Sequence, residues 1–325
     1  PTTAAPTPSF TSTAIPTEAP TLTPTPTLPP TPILLPSTPL GIETAQPGER
    51  WTSPQDGAVL IYVPAGEFLM GSRDDSAGAQ ADEKPLHQVL LDAYWIDLNE
   101  VTNAMFERFV LATGYVTDAE RLGTGFTMLS GGWHELSGAD WRHPQGPERG
   151  LVGLETHPVI LVSWNDAAAY CAWAGRRLPT EAEWEKAGRG WLNGALYPWG
   201  NADLAGSLVN FADVSLGTGW ADSKVNDGWQ FTAPVGSYPA GASPYGLLDM
   251  AGNVWEWVQD WYGDAYYASA PVENPGGPES GSKRVMRGGG WSHEWFAMRL
   301  ATRRSEAPDS RSADVGFRCL LALGR

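Results

Sequence analysis

The chain has 325 residues, of which 42% are hydrophobic and 16 are tryptophan, and its formal net charge is −16. This composition is ample for one large core, so we expect one domain with a tail. The acidic balance argues against nucleic acid and anionic membrane surfaces as partners, because phosphate groups are bound by basic faces. No apolar run approaches the length of a transmembrane helix, so we expect no membrane insertion by this chain.

Residues 1–50 are predicted to form a stalk or linker. Residues 1–40 contain twelve prolines and twelve threonines, and their only charged residue is Glu18. Such a segment cannot bury a core and favours an extended, polyproline-like chain. Threonine and serine beside proline are also typical of O-glycosylated stalks, so a decorated stalk and a plain spacer both fit. Because the chain begins at Pro1 rather than at methionine, we expect a fragment or a processed form.

The folded domain is predicted to span residues 51–325 and to begin with short strands. Residues 59–63 and 67–70 are apolar runs separated by a Pro-Ala-Gly sequence, which predicts a hairpin. Residues 88–96 return to a strand pattern. Residues 117–158 carry scattered aromatic residues without a regular period, which predicts a long irregular segment.

Three helices are predicted from their capping residues. Each begins at a threonine or serine that can accept a hydrogen bond from the first turn, and each ends near a glycine. The second and third also carry an acidic residue at the capping-box position. The N-cap and terminal glycine of each helix are Thr102 with Gly114, Ser163 with Gly175, and Thr180 with Gly188. Three helices among many short strands and long loops predict an α+β fold with unusually little regular structure.

Residues 246–261 contain three tryptophans around a predicted turn at Gly252 and Asn253, two residues that tolerate positive φ. A strand buried on both faces is predicted to follow. Asp249 and Glu256 flank the turn, so a bend brings two carboxylates and free carbonyls towards a common point. Calcium prefers such oxygen ligands. In the alternative interpretation, Asp249 caps the turn and Glu256 pairs with an arginine.

Cys171 and Cys319 are the only cysteines of the chain. A pair so far apart in sequence is compatible with one long-range disulfide, two inert buried thiols or a reactive couple. Cys171 falls in the middle of the second predicted helix, on a face that we expect to be buried.

Several stretches, taken together and in order, resemble those of the formylglycine-generating enzyme (sulfatase-modifying factor) family. They are residues 164–175 and 177–185, Tyr197-Pro198-Trp199-Gly200-Asn201, Gly252-Asn253-Val254-Trp255-Glu256-Trp257, Arg287-Gly288-Gly289 and Gly316-Phe317-Arg318. Each stretch is a weak signal alone, but their order is specific. The resemblance covers about residues 57–322 and implies a C-type-lectin-like fold, which agrees with the α+β prediction.

The resemblance implies two calcium sites. In the family, one calcium is held around the Gly-Asn-Val-Trp-Glu turn by an acidic or amide side chain, two carbonyls and a glutamate. The matching positions are Asp249, Gly252, Val254 and Glu256. The second set would combine side-chain oxygens and carbonyls, which suit Ca²⁺. Its positions are Asn210 and Asp227 for the side chains, and Phe211 and Trp229 for the carbonyls.

The resemblance also implies a disulfide between Cys171 and Cys319, and it bears on catalysis. Oxidases of the family bind copper through two further cysteines just after the Arg-Gly-Gly motif and use the thiolates to activate oxygen on a substrate cysteine. The corresponding residues 291–299 contain no cysteine here. Because soft Cu(I) needs thiolates, we expect no copper and no formylglycine-generating activity.

Residues 291–313 are predicted to form a recognition surface, because this segment lines the functional groove in the family. Aromatic rings beside charged residues are typical of such surfaces. In the alternative interpretation, the rings of Trp295 and Phe296 belong to the core. The predicted surface positions are His293, Glu294, Trp295, Phe296, Leu300, Thr302, Arg304, Ser305, Glu306, Ser310 and Ser312.

The predicted function is therefore a calcium-stabilised, non-catalytic module that binds a protein or a glycan. Non-catalytic relatives of this fold include variable proteins of diversity-generating retroelements and ectodomains joined by Pro/Thr linkers to bacterial signalling kinases. The resemblance therefore implies that residues 291–313 are diversified by a retroelement or that the domain is a sensor ectodomain. We expect an extracellular or cell-surface domain, tethered to a membrane or kinase domain before residue 1, with a cytoplasmic location as the alternative. The competing hypothesis is an oxidoreductase or related enzyme of the sulfatase-modifying family.

Overall fold

The computed structural model describes residues 45–76, 78–129 and 132–323. Most of the predicted stalk, residues 1–44, lies outside these ranges, and the first strand begins at Arg50. Within the described ranges, no helix combines the length and the apolar character needed to cross a membrane.

Short strands carry much of the fold in the described ranges. They are β1 (Arg50–Thr52), β2 (Val59–Val63), β3 (Gly66–Met70), β4 (His87–Leu91), β5 (Tyr94–Asp97), β6 (Thr124–Leu129), β7 (Gly132–Ser137), β8 (Trp255–Trp261), β9 (Arg284–Arg287), β10 (Arg304–Glu306), β11 (Val315–Gly316) and β12 (Leu320–Ala322). One antiparallel sheet has the order β1-β2-β5-β12. A second has the order β10-β9-β8-β11, with β11 parallel to β8. Strands β3 and β4 form a separate pair, as do β6 and β7.

Four helices lie between these strands in the part of the chain that the structure describes. They are α1 (Asn103–Thr113), α2 (Asp118–Leu122), α3 (Trp164–Trp173) and α4 (Glu181–Arg189). The three predicted N-caps are confirmed, because the side chains of Thr102, Ser163 and Thr180 each accept a hydrogen bond from a backbone N–H of the first turn. Both predicted capping boxes are formed. The α+β class with little regular structure is confirmed.

The prediction of an irregular segment over residues 117–158 is wrong for its first half. Thr117 and Glu120 form a capping box that starts α2, and Gly123 ends it with a left-handed φ of 72°. The hairpin of β6 and β7 follows. The Thr-x-x-Glu spacing carried this signal, but the single turn of helix that it starts is too short to show a hydrophobic period.

The predicted hairpin over residues 59–70 is also wrong. Strand β2 pairs with β1 and β5, whereas β3 pairs with β4. The connection is held by the buried Lys186, whose ammonium group donates to the carbonyls of Pro64 at 2.7 Å and Gly66 at 2.9 Å. This contact comes from a distant helix, so turn residues alone do not reveal it. The predicted strand over residues 88–96 is likewise two strands, β4 and β5, in different sheets.

Strand β8 lies between two apolar clusters, so the predicted burial of both its faces is confirmed. Trp255 and Trp257 pack in the cluster that contains α1 and α3. Val258 packs in the other cluster with Trp184 of α4. The strand therefore holds the turn that precedes it against both halves of the core.

Candidate functional site

The two cysteines form the disulfide bond that the resemblance implied. Cys171 of α3 and Cys319, which precedes β12, have an S–S distance of 2.00 Å and a Cα–Cα distance of 5.6 Å. Both residues are fully buried. Because the sequence has no other cysteine, no thiol is left for a thiolate metal centre.

The turn before β8 adopts the backbone that its sequence predicts. Gly252 and Asn253 have φ values of 77° and 59°. A Cβ atom on Gly252 would lie 2.2 Å from the carbonyl oxygen of Asn210, so only glycine fits there. The Asn253 side chain accepts a hydrogen bond from the backbone of Ala233 at 2.9 Å and donates one to Glu100 at 3.0 Å. The turn thus joins three distant segments.

Glu256, a predicted calcium ligand, is paired with an arginine, as the alternative interpretation proposed. Its two carboxylate oxygens each accept a hydrogen bond from Arg318 at 2.7 Å, and one also accepts from the indole N–H of Trp184 at 2.9 Å. Glu256 and Arg318 are both fully buried. Burial alone would lower the pKa of Arg318, but the charge and the hydrogen bonds of Glu256, together with the charges of Glu100 and Asp249, raise it. The protein itself therefore neutralises this carboxylate.

Asp249 meets a carboxylate that the sequence analysis missed. Glu100, which precedes α1, interacts directly with Asp249, and both side chains are buried. The Oε2 atom of Glu100 has no hydrogen-bond donor within the described structure. Burial raises the pKa of Glu100 well above its usual range, and the charge of Asp249 raises it further. No local sequence pattern identifies Glu100 as a partner of Asp249, because the two residues lie far apart in the chain.

The second predicted calcium set is partly assembled. The carboxylate of Asp227 accepts hydrogen bonds from the backbone N–H groups of Phe211 at 2.9 Å and Trp229 at 2.8 Å. Burial raises the pKa of Asp227 to about 6. The Oδ1 atom of Asn210 is buried and has no hydrogen-bond donor among the described residues. An unpaired buried amide oxygen is a suitable ligand for a hard cation such as calcium.

Neither set is a cluster of strong metal ligands. Within residues 45–323, apart from the three undescribed positions, no group of three His, Cys, Asp or Glu side chains could hold a metal ion. Calcium at either place would therefore depend on amide and main-chain oxygens beside one or two carboxylates.

The structure divides the predicted surface positions of residues 291–313 into two groups. Trp295 and Phe296 are exposed by 48% and 41%, so the alternative that both rings belong to the core does not hold. Glu294 is exposed as well. The remaining accessible positions are partly buried and are His293, Arg304, Ser305, Glu306 and Ser310.

Three predicted surface positions are buried, and each has a contact that explains it. Leu300 is fully buried in the cluster around Trp184. The hydroxyl of Thr302 donates to the carbonyl of Phe296 at 2.9 Å. The hydroxyl of Ser312 donates to Asp314, which is itself buried. The prediction for these three residues is therefore wrong, because their side chains complete the core under the segment.

Ser292, His293 and Asp314 lie together but do not form a catalytic triad. The Nδ1 atom of His293 is 2.9 Å from the Ser292 hydroxyl and 3.7 Å from Asp314. A triad needs the serine and the carboxylate on opposite ring nitrogens, whereas both meet Nδ1 here. The indole of Trp255 donates to the same nitrogen at 3.3 Å. Burial lowers the pKa of His293, so the ring is a neutral acceptor in a structural network.

The chain is similar in sequence to sulfatase-modifying proteins. A family model described as a sulfatase-modifying factor enzyme 1-like domain matches residues 46–323. The formylglycine-generating enzyme of Mus musculus is 42% identical over 280 residues, which are 80% of this chain and 74% of that protein. The inactive C-alpha-formylglycine-generating enzyme 2 of Mus musculus is 37% identical over 292 residues, covering 83% of this chain and 88% of that protein.

A solved structure agrees with the fold that the sequence implied. PvdO from Pseudomonas aeruginosa superposes with a TM-score of 0.68 at 29% identity, covering 86% of this chain and 100% of that chain. The predicted fold of the formylglycine-generating enzyme family is thereby confirmed.

The pair of Glu256 and Arg318 yields a stability prediction. Replacing Arg318 by methionine leaves a buried carboxylate without its counter-charge, and we expect the free energy of unfolding to fall by about 3–5 kcal/mol. Adding Glu256→Leu removes that carboxylate, so the double variant should recover part of the loss. Chemical denaturation of the parent, both single variants and the double variant measures the coupling.

The exposed pair of Arg73 and Asp75 supplies the control. Arg73→Met should change the free energy of unfolding by no more than about 0.5 kcal/mol. If the losses of the two buried variants simply add, the pair is not coupled and the structural role assigned to Glu256 is wrong.

Proposed function

We propose that this chain, which belongs to the family of sulfatase-modifying factor enzyme 1-like domains, is a ligand-binding domain without oxidase activity. The observation that carries the proposal is the state of its sulfur atoms. Both cysteines of the chain are joined to each other in the core, and residues 291–299 contain none. Without thiolates, the chain lacks the soft ligands that Cu(I) requires.

A relative supports the proposal that this family includes non-catalytic members. The mouse protein that is 37% identical to this chain is named an inactive C-alpha-formylglycine-generating enzyme 2. An enzymatic function is the second candidate, because the mouse formylglycine-generating enzyme is 42% identical. The absence of cysteine from residues 291–299 favours the non-catalytic function over the enzymatic one. Overall identity reports the fold, whereas the chemistry depends on particular residues.

The proposed ligand surface is the accessible part of residues 293–310. Trp295 and Phe296 present exposed rings at right angles to each other, with centroids 6.2 Å apart. Glu294 precedes them and Arg304 and Glu306 belong to the edge strand β10, so apolar and charged groups are mixed along the segment. Such a mixture suits a protein or a glycan, because aromatic rings provide contact area and charged groups provide orientation.

The cellular setting belongs to the same proposal. A buried disulfide and a Pro/Thr-rich segment support an extracellular or cell-surface location, because disulfides persist in oxidising compartments. A sensor ectodomain would then be tethered through the segment before the domain. Diversification by a retroelement stays a prediction, and it would act on the accessible positions rather than on Leu300, Thr302 and Ser312.

We also propose that the domain binds calcium. At the turn before β8, Asp249 and Glu100 would supply carboxylate oxygens, beside the carbonyls of Gly252 and Val254. Glu256 is left out of this set, because Arg318 already neutralises it. In the second set, Asn210 and Asp227 would supply side-chain oxygens and Phe211 and Trp229 carbonyls. Two facing buried carboxylates and one unpaired amide oxygen are the observations that favour cations at these places.

The absence of oxidase activity is tested with a cysteine-containing sulfatase-type peptide. With copper and oxygen present, we expect no aldehyde product by mass spectrometry from this protein, whereas the mouse formylglycine-generating enzyme provides the positive control. Thiol titration of the unfolded, unreduced protein should find no free thiol, because both sulfurs are bonded to each other. Peptide turnover, or two free thiols that hold copper, would overturn the proposal.

The ligand surface is tested by selection against random peptide libraries and glycan arrays. We expect binders to the parent protein that lose at least tenfold in affinity, about 1.4 kcal/mol, on the double substitution Trp295→Ala and Phe296→Ala. The matched control is Trp191→Ala, because Trp191 is 63% exposed and lies outside the surface. Binders that ignore the double variant but lose affinity with the control would refute this surface.

The calcium proposal predicts opposite effects of one substitution. Removing calcium with EGTA should lower the melting temperature, because an ion at 100 times its Kd stabilises by about 2.7 kcal/mol. Glu100→Gln should reduce this calcium-dependent shift. In EGTA, however, the variant should be at least as stable as the parent, because glutamine beside Asp249 needs neither a cation nor a proton to offset a charge.

The control for the calcium experiment is Glu294→Gln, an exposed carboxylate outside both proposed sets. It should leave the calcium-dependent shift unchanged in melting curves recorded with calcium and with EGTA. Equal melting temperatures of the parent protein under the two conditions would contradict calcium binding.

A further inference from the structure

A cavity of about 310 Å³ opens beside Trp291 and plays no part in the surface proposed above. Its walls come from strand β6, from residues 144–160 and from residues 229–232. It shares part of its lining with a wider cavity of about 780 Å³. The residues that matter most for its chemistry are Met128, Arg149, His157, Trp229, Phe231 and Trp291. A volume near 300 Å³ is enough for a small ligand.

The floor of the cavity is aromatic. Trp291 is almost fully buried and packs edge to face against Phe231, with ring centroids 5.1 Å apart. Trp229 lines the wall and is 38% exposed. The centroids of its ring and the His157 ring are 5.4 Å apart. Flat apolar groups pack well on such rings, because aromatic pairs gain from offset or edge-to-face contact.

Among the described residues that line the two cavities, the only formal charge is positive. Arg149 lines both cavities, and none of their described lining residues is Asp or Glu. Within the described ranges Arg149 has no ion pair, and its guanidinium donates to the side-chain oxygen of Gln145 at 2.7 Å. His157 adds no charge near neutral pH, because burial lowers its pKa. Arg149 is exposed, so its charge is accessible to an anionic ligand beside the cavity that it lines.

We propose that this cavity binds a flat aromatic molecule that carries one anionic group, with the ring on Trp229 and Phe231 and the anion at Arg149. A guanidinium pairs with a carboxylate or a phosphate through two parallel hydrogen bonds, which fixes the orientation of the ligand as well as its charge. The proposal does not depend on the ligand surface proposed above, because neither Trp295 nor Phe296 lines the cavity. Trp229 also belongs to the second proposed calcium set, but it would contribute its carbonyl there and its ring here.

The probes are 2-naphthoate and its neutral amide, 2-naphthamide, which share the ring system and differ in charge. Isothermal titration of the full chain at neutral pH should give binding of the naphthoate at least tenfold tighter than that of the amide. Arg149→Gln should remove this preference by weakening only the naphthoate. Trp229→Ala should weaken both probes, because it removes the ring surface that they share.

Two exposed residues outside the cavity supply controls, and melting curves check the folding of every variant. Arg73→Gln and Trp191→Ala should leave both affinities unchanged. Because Arg149 is on the surface, its variant should fold even if Trp229→Ala does not. Equal affinity for the two probes, a preference that survives Arg149→Gln, or no binding of either probe would overturn the proposal.

Discussion

Buried guanidinium groups hold this domain in shape, because regular secondary structure covers too little of it to do so alone. Arg287 of β9 lies between Glu181 and Glu185 of α4, and Arg303 forms a two-point pair with Glu181. Such buried pairs add little net stability, but leaving one partner alone is costly. Their main effect is therefore to favour one arrangement of the long loops over others, rather than to increase the free energy of unfolding.

The same constraint decides which parts of the C-terminal segment face outward. Arg299 forms a buried two-point pair with Glu83 at 2.7 and 2.6 Å, which fastens the backbone after Trp295 and Phe296. With Arg299, Leu300 and Arg303 turned inward, the two aromatic rings are left outside. A surface built in this way can change its exposed residues without disturbing the pairs beneath it. Buried residues that hold the backbone and exposed residues that are free to vary are a combination that suits a binding domain.

Near the turn before β8, one buried carboxylate has a cationic partner and two others lie against each other. Glu256 forms an ion pair with Arg318. Glu100 and Asp249 instead face each other without an ion pair of their own among the described residues, although the charge of Arg318 acts on both. Two facing carboxylates in the core are tolerated only if a proton or a cation reduces their charge. The family resemblance implied a calcium site at this turn, and our calcium proposal replaces Glu256 by Glu100 because Glu256 already has a cationic partner.

Local features of the sequence determined a good part of this protein. The capped helices, the Gly252–Asn253 turn and the strand buried on both faces depend on hydrogen bonds, backbone sterics and composition within a few residues of each other. The order of the motifs identified the fold. Only the tertiary structure decided that β2 and β3 belong to different sheets and that Arg318 forms an ion pair with Glu256. It also decided that Glu100 contacts Asp249 and that Leu300 is buried. Each of these contacts joins segments far apart in the chain, so its energy depends on the geometry of the whole fold rather than on any residue pattern.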